Sequence, residues 1–277
     1  MSLIGLIGAA LAGASFLFIM QRRMIYFPRR YEPRYALGLP SNTFELEYET
    51  SAGHQTAFYA APLDAPGKPP RRLWMLWGGN AALALDWLDL IEKARDGQSG
   101  FLLIDYPGYG KCQGKPSMKR IEESSEGALR ALATRLHVDP ARLESDLNVI
   151  GHSLGAAAAL QFAAGHPVRQ AILISPFTSL ADVARGIVGW PLCQLALDRF
   201  DNRARLSELA ARGRPPGVLV LHGDADQVIP VRMGRELARM FPRMISYREI
   251  HGADHNFILD AIADQIAAAM KPEPISP

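Results

Sequence analysis

The chain has 277 residues, 48% of them hydrophobic, which fits one large folded domain with a sizeable core and excludes a disordered chain. Its net charge of +2 and pI near 8.6 exclude the strongly basic balance of a nucleic-acid-binding surface, since much of the excess lies in arginines near the N-terminus. Two cysteines, Cys112 and Cys193, cannot build a disulfide framework and lack neighbours at metal-ligand spacing, so they read as ordinary thiols and no metal is expected.

The first element is an uncharged run, residues 3–20, which as a helix would be about 27 Å long and just span the hydrocarbon core of a bilayer. Arg22, Arg23, Arg29 and Arg30 follow, with Tyr26 and Phe27 between them, the pattern of a cytoplasmic basic flank with interfacial aromatics. Residues 1–24 are therefore expected to form a single-pass membrane anchor and its flank, with the body, residues 25–277, on the cytoplasmic side. A cleaved signal peptide is the competing reading, because Ala12-Gly13-Ala14 resembles a cleavage site, but the basic stretch that should precede the apolar run is missing.

Beyond the anchor, short apolar runs alternate with longer amphipathic ones and nothing repeats at a fixed period, which is an α/β pattern. Residues 43–50 and 55–62 read as a hairpin leading into a loop rich in Pro and Gly. Residues 72–78, 100–106, 146–152, 170–176, 217–223 and 244–250 are more continuous apolar runs, which suit strands buried on both faces. Helical stretches at 81–95, 118–136, 154–165, 231–240 and 256–270 follow most of them. The expected architecture is a mostly parallel sheet with helices on both faces and ligands at the strands' C-terminal ends. Residues 180–213 are longer than one crossover helix requires and read as a small cap, rich in apolar side chains from Ile187 to Phe200. Trp190 and Phe200 are the cap residues expected to contact a substrate.

Within this pattern, Gly151-His152-Ser153-Leu154-Gly155 falls where an apolar strand gives way to a run of alanines. A sharp strand-to-helix turn lifts the serine hydroxyl above the sheet edge, and the glycines let neighbouring segments approach closely. A serine hydroxyl is a poor nucleophile unless a base takes its proton, and the base must be oriented by a third group. Downstream strand ends supply two carboxylates, Asp224 and Asp226, and two histidines, His251 and His255. Asp224 and Asp105 also suit turn-stabilising roles, and His152, His222 and His251 lie in or beside strands, where a packed, hydrogen-bonded histidine is the ordinary reading.

Together with GGNA at 78–81, DYPGYGKCQGKPS at 105–117, HGDADQVIP at 222–230 and GADHN at 252–256, this motif resembles the α/β-hydrolase superfamily. In detail the chain is similar to the BEM46-like and serine aminopeptidase S33-like branch, over nearly all its length after residue 25. Two departures, GGNA where many relatives read HGNA and Cys112 after Lys111, leave the implied reactive residues in place. The resemblance implies the α/β-hydrolase fold, with Ser153 as nucleophile, Asp226 as the acid and His255 as the base. It also implies an oxyanion hole from the backbone N–H groups of Leu154 and, in the loop after the third strand, Asn80.

The implied chemistry is cofactor-free acyl transfer, and the anchor and apolar cap favour a carboxyl ester or thioester with a lipid-like acyl chain. The expected partners are this small acyl substrate and the membrane, with no nucleic acid. Two alternatives remain open. A serine peptidase on the same residues would use an acidic pair drawn from Asp182, Asp198, Asp201 and Glu208 to hold a substrate amine. A catalytically silent, membrane-tethered binding protein would use none of this chemistry.

Overall fold

The computed structural model describes residues 20–190 and 192–271. The run 3–20 expected to span a membrane lies outside these residues apart from Met20, and among the described residues no helix is long and apolar enough to cross a membrane.

Eight strands form one sheet: β1 Thr43–Thr50, β2 Gly53–Ala60, β3 Arg72–Trp77, β4 Ser99–Ile104, β5 Leu147–His152, β6 Gln170–Ile174, β7 Gly217–Gly223 and β8 Ile245–Ile250, in the order β1-β2-β4-β3-β5-β6-β7-β8. A tight turn at Ser51-Ala52 pairs β1 and β2 antiparallel, β2 runs antiparallel to β4, and all later pairings are parallel. Parallel neighbours need crossovers, and the chain supplies helices for them. These are α1 Leu88–Ala94, α2 Met118–Arg135, the short α3 Pro140–Glu144, α4 Leu154–Gly165, α5 Leu180–Val188, α6 Asn202–Ala210, α7 Arg232–Met240 and α8 Ile258–Met270.

The continuous apolar runs divide by strand alternation into two cores. In β3, Leu73, Met75 and Trp77 pack with residues of α2 and α4 on one face, while Trp74 and Leu76 pack with α1 and α8 on the other. Alanines 156 to 159 of α4 are at most 4% exposed, their small side chains letting the helix lie between the sheet and α6. The C-terminal ends of β3, β5, β7 and β8 thus open on one edge, as expected for the ligand side of such a sheet.

The structure departs from the sequence expectation in three places. The helix expected from residue 81 begins at Leu88 after a 3₁₀ turn, Ala84–Trp87. Carboxylates hold the preceding amides off the helical path: Leu83 N–H donates to Asp86 and Ala84 N–H to Asp105. The expected cap of 180–213 divides in two, because α6 contributes Leu206 and Leu209 to the main core and only the part around α5 overhangs the sheet edge. The boundary placed at residue 24 also moves. Residues 20–25 form a helical stretch that continues into the body, where Tyr26 is 3% exposed.

The two glycines of α4 have opposite surroundings. A Cβ on Gly155 would sit 2.1 Å from the Trp77 carbonyl oxygen, whereas one on Gly165 would meet nothing within 4 Å. Gly155→Ala is expected to destabilise the fold by about 1–3 kcal/mol or more, and Gly165→Ala to be neutral or stabilising by up to about 1 kcal/mol, both read from unfolding midpoints of the full-length protein.

A second prediction concerns Asp105, 1% exposed at the end of β4, which accepts hydrogen bonds from Ala84 N–H (2.8 Å) and the Tyr31 hydroxyl (2.7 Å). Burial pushes its carboxyl up to about 7 despite those bonds. The folded state therefore keeps a proton that the unfolded carboxyl releases from about pH 4 upward. Its contribution to stability is complete at low pH and is lost as pH rises through about 7. Asp105→Asn should flatten the fall in stability between pH 5 and pH 8 in denaturant titrations. An unchanged slope would remove Asp105 as its source.

Candidate active site

Ser153 occupies the junction of β5 and α4 with φ 54° and ψ −115°, a backbone conformation that side chains rarely adopt. It is held there because its N–H donates to the Ile174 carbonyl (2.8 Å) and because the residues two positions away on either side, Gly151 and Gly155, have no Cβ. A methyl on Gly151 would lie 2.1 Å from the Gly155 oxygen. The strained turn lifts the hydroxyl above the edge of the sheet.

His255 Nε2 lies 3.0 Å from Ser153 Oγ, and His255 Nδ1 lies 2.7 Å from Asp226 Oδ2. The two side chains approach Ser153 from the loops after β8 and β7, which are adjacent parallel strands. Asp226 Oδ1 accepts the N–H groups of Val228 (2.9 Å) and Ile229 (2.7 Å), and His222 Nε2 lies 3.4 Å from Oδ2. Burial alone would push the Asp226 carboxyl up, but hydrogen bonds from His222 and His255 outweigh it and hold the group well below the usual carboxylate range. It stays ionised, and so accepts the Nδ1 proton and leaves Nε2 facing the hydroxyl.

His152 braces His255 from behind. Its ring lies 4.9 Å from that of His255, and its Nε2 donates to the His255 carbonyl oxygen (3.1 Å). Burial, with neighbouring His255 acting in the same direction, holds His152 down to about 3, so it is neutral at physiological pH. The remaining candidates are placed elsewhere. Asp224 accepts His251 Nδ1 (2.8 Å) and Gly252 N–H (2.7 Å), a staple between two loops with the His251 side chain fully exposed.

The loop after β3 passes beside this group. Asn80 O accepts Phe27 N–H (3.0 Å) and the Tyr109 hydroxyl, and Asn80 Nδ2 donates to the Ile25 carbonyl (3.1 Å). The Asn80 N–H has no partner among the described residues. Neither does that of Leu154, which opens α4 and so has no helical carbonyl to reach. Two unpaired donors beside a buried hydroxyl are what a developing oxyanion requires.

Asn80, Ser153 and Leu154 form the floor of a cavity of about 380 Å³. Its walls are apolar: Leu180, Val183, Ala184, Ile187 and Val188 of α5, with Leu192 and Leu195 beyond it and Val228 and Ile229 opposite. Trp190 and Phe200, expected to contact a substrate, are not among its described lining residues. Phe200 is 2% exposed and packs into the main core, where a large apolar ring is most stable, whereas Trp190 is 73% exposed.

The wall that sequence reasoning missed comes from the supposed anchor flank, since Gln21, Met24, Ile25 and Phe27 all line the cavity. The apolar residues placed between the arginines were its one signal. Among the described residues, no acidic side chain lines the cavity. Of the four acids that could have held an amine, Asp198 receives Arg22, Tyr26 and Met118 N–H, and Asp182 receives Thr178, Ser179 and Arg203. Asp201 caps α6, and Glu208 pairs with Arg205. Among the described residues, no cluster of three or more His, Cys, Asp and Glu side chains is placed to hold a metal.

Comparison with known proteins agrees with this architecture. Residues 76–210 match the model of the alpha/beta hydrolase family. An uncharacterised protein of Mycobacterium tuberculosis is 31% identical over 244 residues, covering 87% of this chain and 83% of its own length. The chain belongs to the alpha/beta hydrolase family. This hydrolase is also similar to human alpha/beta hydrolase domain-containing protein 17B, 32% identical over 152 residues, which cover 55% of this chain and 49% of the human protein. Two solved structures share its fold. The Pyrococcus furiosus esterase has a TM-score of 0.64 at 14% identity, over 88% of this chain and 95% of its own. The fluorophosphonate-binding serine hydrolase F of Staphylococcus aureus has a TM-score of 0.61 at 16% identity, over 83% and 98%.

The geometry separates the two carboxylates of the β7 loop by partner: Asp226 meets His255 beside Ser153, and Asp224 meets the exposed His251. Turnover of p-nitrophenyl butyrate is expected to fall on the order of 10⁴-fold in Asp226→Asn, and by no more than a few-fold in Asp224→Asn. The reverse ranking in steady-state assays would move the orienting role to Asp224.

Proposed function

We propose that this alpha/beta hydrolase is a membrane-anchored serine hydrolase that cleaves carboxyl esters or thioesters of lipid-like acyl groups through a Ser153–His255–Asp226 triad. The observation that carries the reading is the unbroken hydrogen-bonded chain from Ser153 Oγ through His255 to Asp226, set at the floor of an apolar cavity.

His255 Nε2 takes the Ser153 proton as Oγ attacks the acyl carbonyl, and the oxygen that gains charge is met by the N–H groups of Asn80 and Leu154. The tetrahedral species collapses as the His255 proton passes to the departing alcohol or thiol, leaving the acyl group on Ser153. His255 then draws a proton from water, whose oxygen attacks the ester. The acid leaves and the proton returns to Oγ. Asp226 stabilises the imidazolium formed in each half without itself taking a proton.

The apolar walls support an acyl chain as the group bound, because each CH₂ buried there adds up to about 0.8 kcal/mol of binding. No acidic pair among the described lining residues is offered to a substrate amine, which counts against the peptidase reading. The uncharged run at residues 3–20 and the basic residues after it support an anchor with the body in the cytoplasm. Protease protection of the C-terminal body inside sealed compartments would reverse that orientation.

Ser153→Ala is expected to lose all labelling by a fluorophosphonate probe, which also separates an enzyme from a silent binding protein. On p-nitrophenyl esters of increasing length, kcat/KM should rise several-fold for each two carbons and then level off. Ala184→Phe should cut long-chain esters sharply while sparing the acetyl ester. A flat profile in the wild type would assign the site to small polar substrates.

A further inference from the structure

We infer that the outer face of the cap is a bilayer-docking surface, placed so that the acyl cavity opens onto the lipid and receives its substrate without passage through water. The inference rests on the anchor of the proposed function and adds which face of the enzyme meets the membrane.

Met24, Phe27, Ile187, Trp190, Leu192 and Leu195 are between 36% and 73% exposed, and all but Trp190 also line the cavity. Exposed large apolar side chains so concentrated around one opening are unusual for a water-facing surface. The chain itself indicates what covers them. The uncharged run ends at Met20, and the next residue, Gln21, is bound to the cap: its Nε2 donates to the Leu195 carbonyl (3.3 Å) and its Oε1 accepts Leu197 N–H (2.6 Å). The residue after it, Arg22, pairs with the buried Asp198 at 3.1 Å. On the proposed anchor, the chain leaves the bilayer near residue 20, where Gln21 and Arg22 tie it to the cap, so the apolar rim lies beside that exit. Only the exposed apolar residues next to that exit can share its solvent.

Trp190 supplies a built-in probe, since Trp74, Trp77 and Trp87 are at most 2% exposed and Trp190 is 73% exposed. The full-length protein is reconstituted into phosphatidylcholine vesicles with and without dibrominated acyl chains. The expected result is retention after carbonate washing, together with bromolipid quenching of tryptophan emission that is lost in Trp190→Phe. Trp190→Glu, which alters no lining residue, should lower turnover of a long-chain ester embedded in vesicles by about fivefold or more and leave turnover of soluble p-nitrophenyl acetate unchanged.

Retention with no bromolipid quenching, and with Trp190 open to aqueous acrylamide, would overturn the docking face and leave the anchor standing. Release by carbonate would overturn the anchor and the docking face with it. Shielding of Trp190 from both quenchers would assign the rim to protein, either the chain's own N-terminal segment or a second copy, and would also overturn the proposal.

Discussion

A backbone approach that only glycine permits fixes the geometry of the site. The Cα of Gly155 lies so near the end of β3 that an added methyl would stand 2.1 Å from the Trp77 oxygen and 2.5 Å from that of Gly78. Neither carbonyl can yield, because Trp77 belongs to a central strand paired on both sides and the Gly78 oxygen accepts the Tyr106 hydroxyl. The first turn of α4 and the loop that carries Asn80 are thereby held as one rigid body. The position of Ser153 relative to Asn80 follows from a contact between main chains. A φ of 54° at Ser153 costs on the order of 1–3 kcal/mol. Such strain persists only where the surroundings over-determine it, and here the glycine contacts and the Ile174 hydrogen bond do so.

The same rigidity extends to the charges. Asp226 is ionised in a buried setting because backbone amides and two imidazoles converge on it, so its charge is compensated by dipoles already in place. His255 is held by Asp226 at Nδ1 and by His152 at its backbone oxygen, which leaves Nε2 directed at Ser153 Oγ. A neutral His152 matters here, since a second imidazolium 4.9 Å from the first would oppose protonation of the base. Donors and acceptors that need not reorganise as charge develops are the main source of rate in acyl transfer.

The strands, and strand ends that carry Ser153, two carboxylates and two histidines, were legible in sequence because local rules set them, whereas the choice of Asp226 over Asp224 and His255 over His251 came from the family resemblance. Apolar runs of strand length predict buried strands, and motifs at strand ends need only the sheet order to meet. The cap was not legible in the same way. Trp190 and Phe200 are equally apolar, and no period in residues 187–200 states which side faces the cavity, the core or the outside. Phe200 packs inward, its carbonyl bonded by Leu180 N–H, whereas Trp190 follows Gly189, whose φ of 74° ends α5, and is left exposed. The role of residues 20–31 was hidden for a different reason. Their contacts reach partners up to 176 positions away, and the strong composition signal of the apolar run beside them drew the boundary too late.

That segment changes what the arginines after the apolar run do. Arg22 is joined to Asp198, Arg29 to Asp86 and the Ala81 carbonyl, and Arg30 to the Gly110 and Cys112 carbonyls. Three of the four cations that suggest a collar for lipid phosphates are thus bound to the protein, and the stretch is a strap across the active-site edge. Asp198 shows why the strap is tight. A carboxylate 4% exposed is costly unless its oxygens are filled, and Arg22, the Tyr26 hydroxyl and Met118 N–H fill them. Removing the strap would leave Asp198 with one of its three partners. It would also release Phe27 N–H and the Ile25 carbonyl from Asn80, freeing the loop whose N–H faces the cavity. The residues next to the apolar run therefore belong to the folded body: they form one wall of the cavity and hold the Asn80 loop in place.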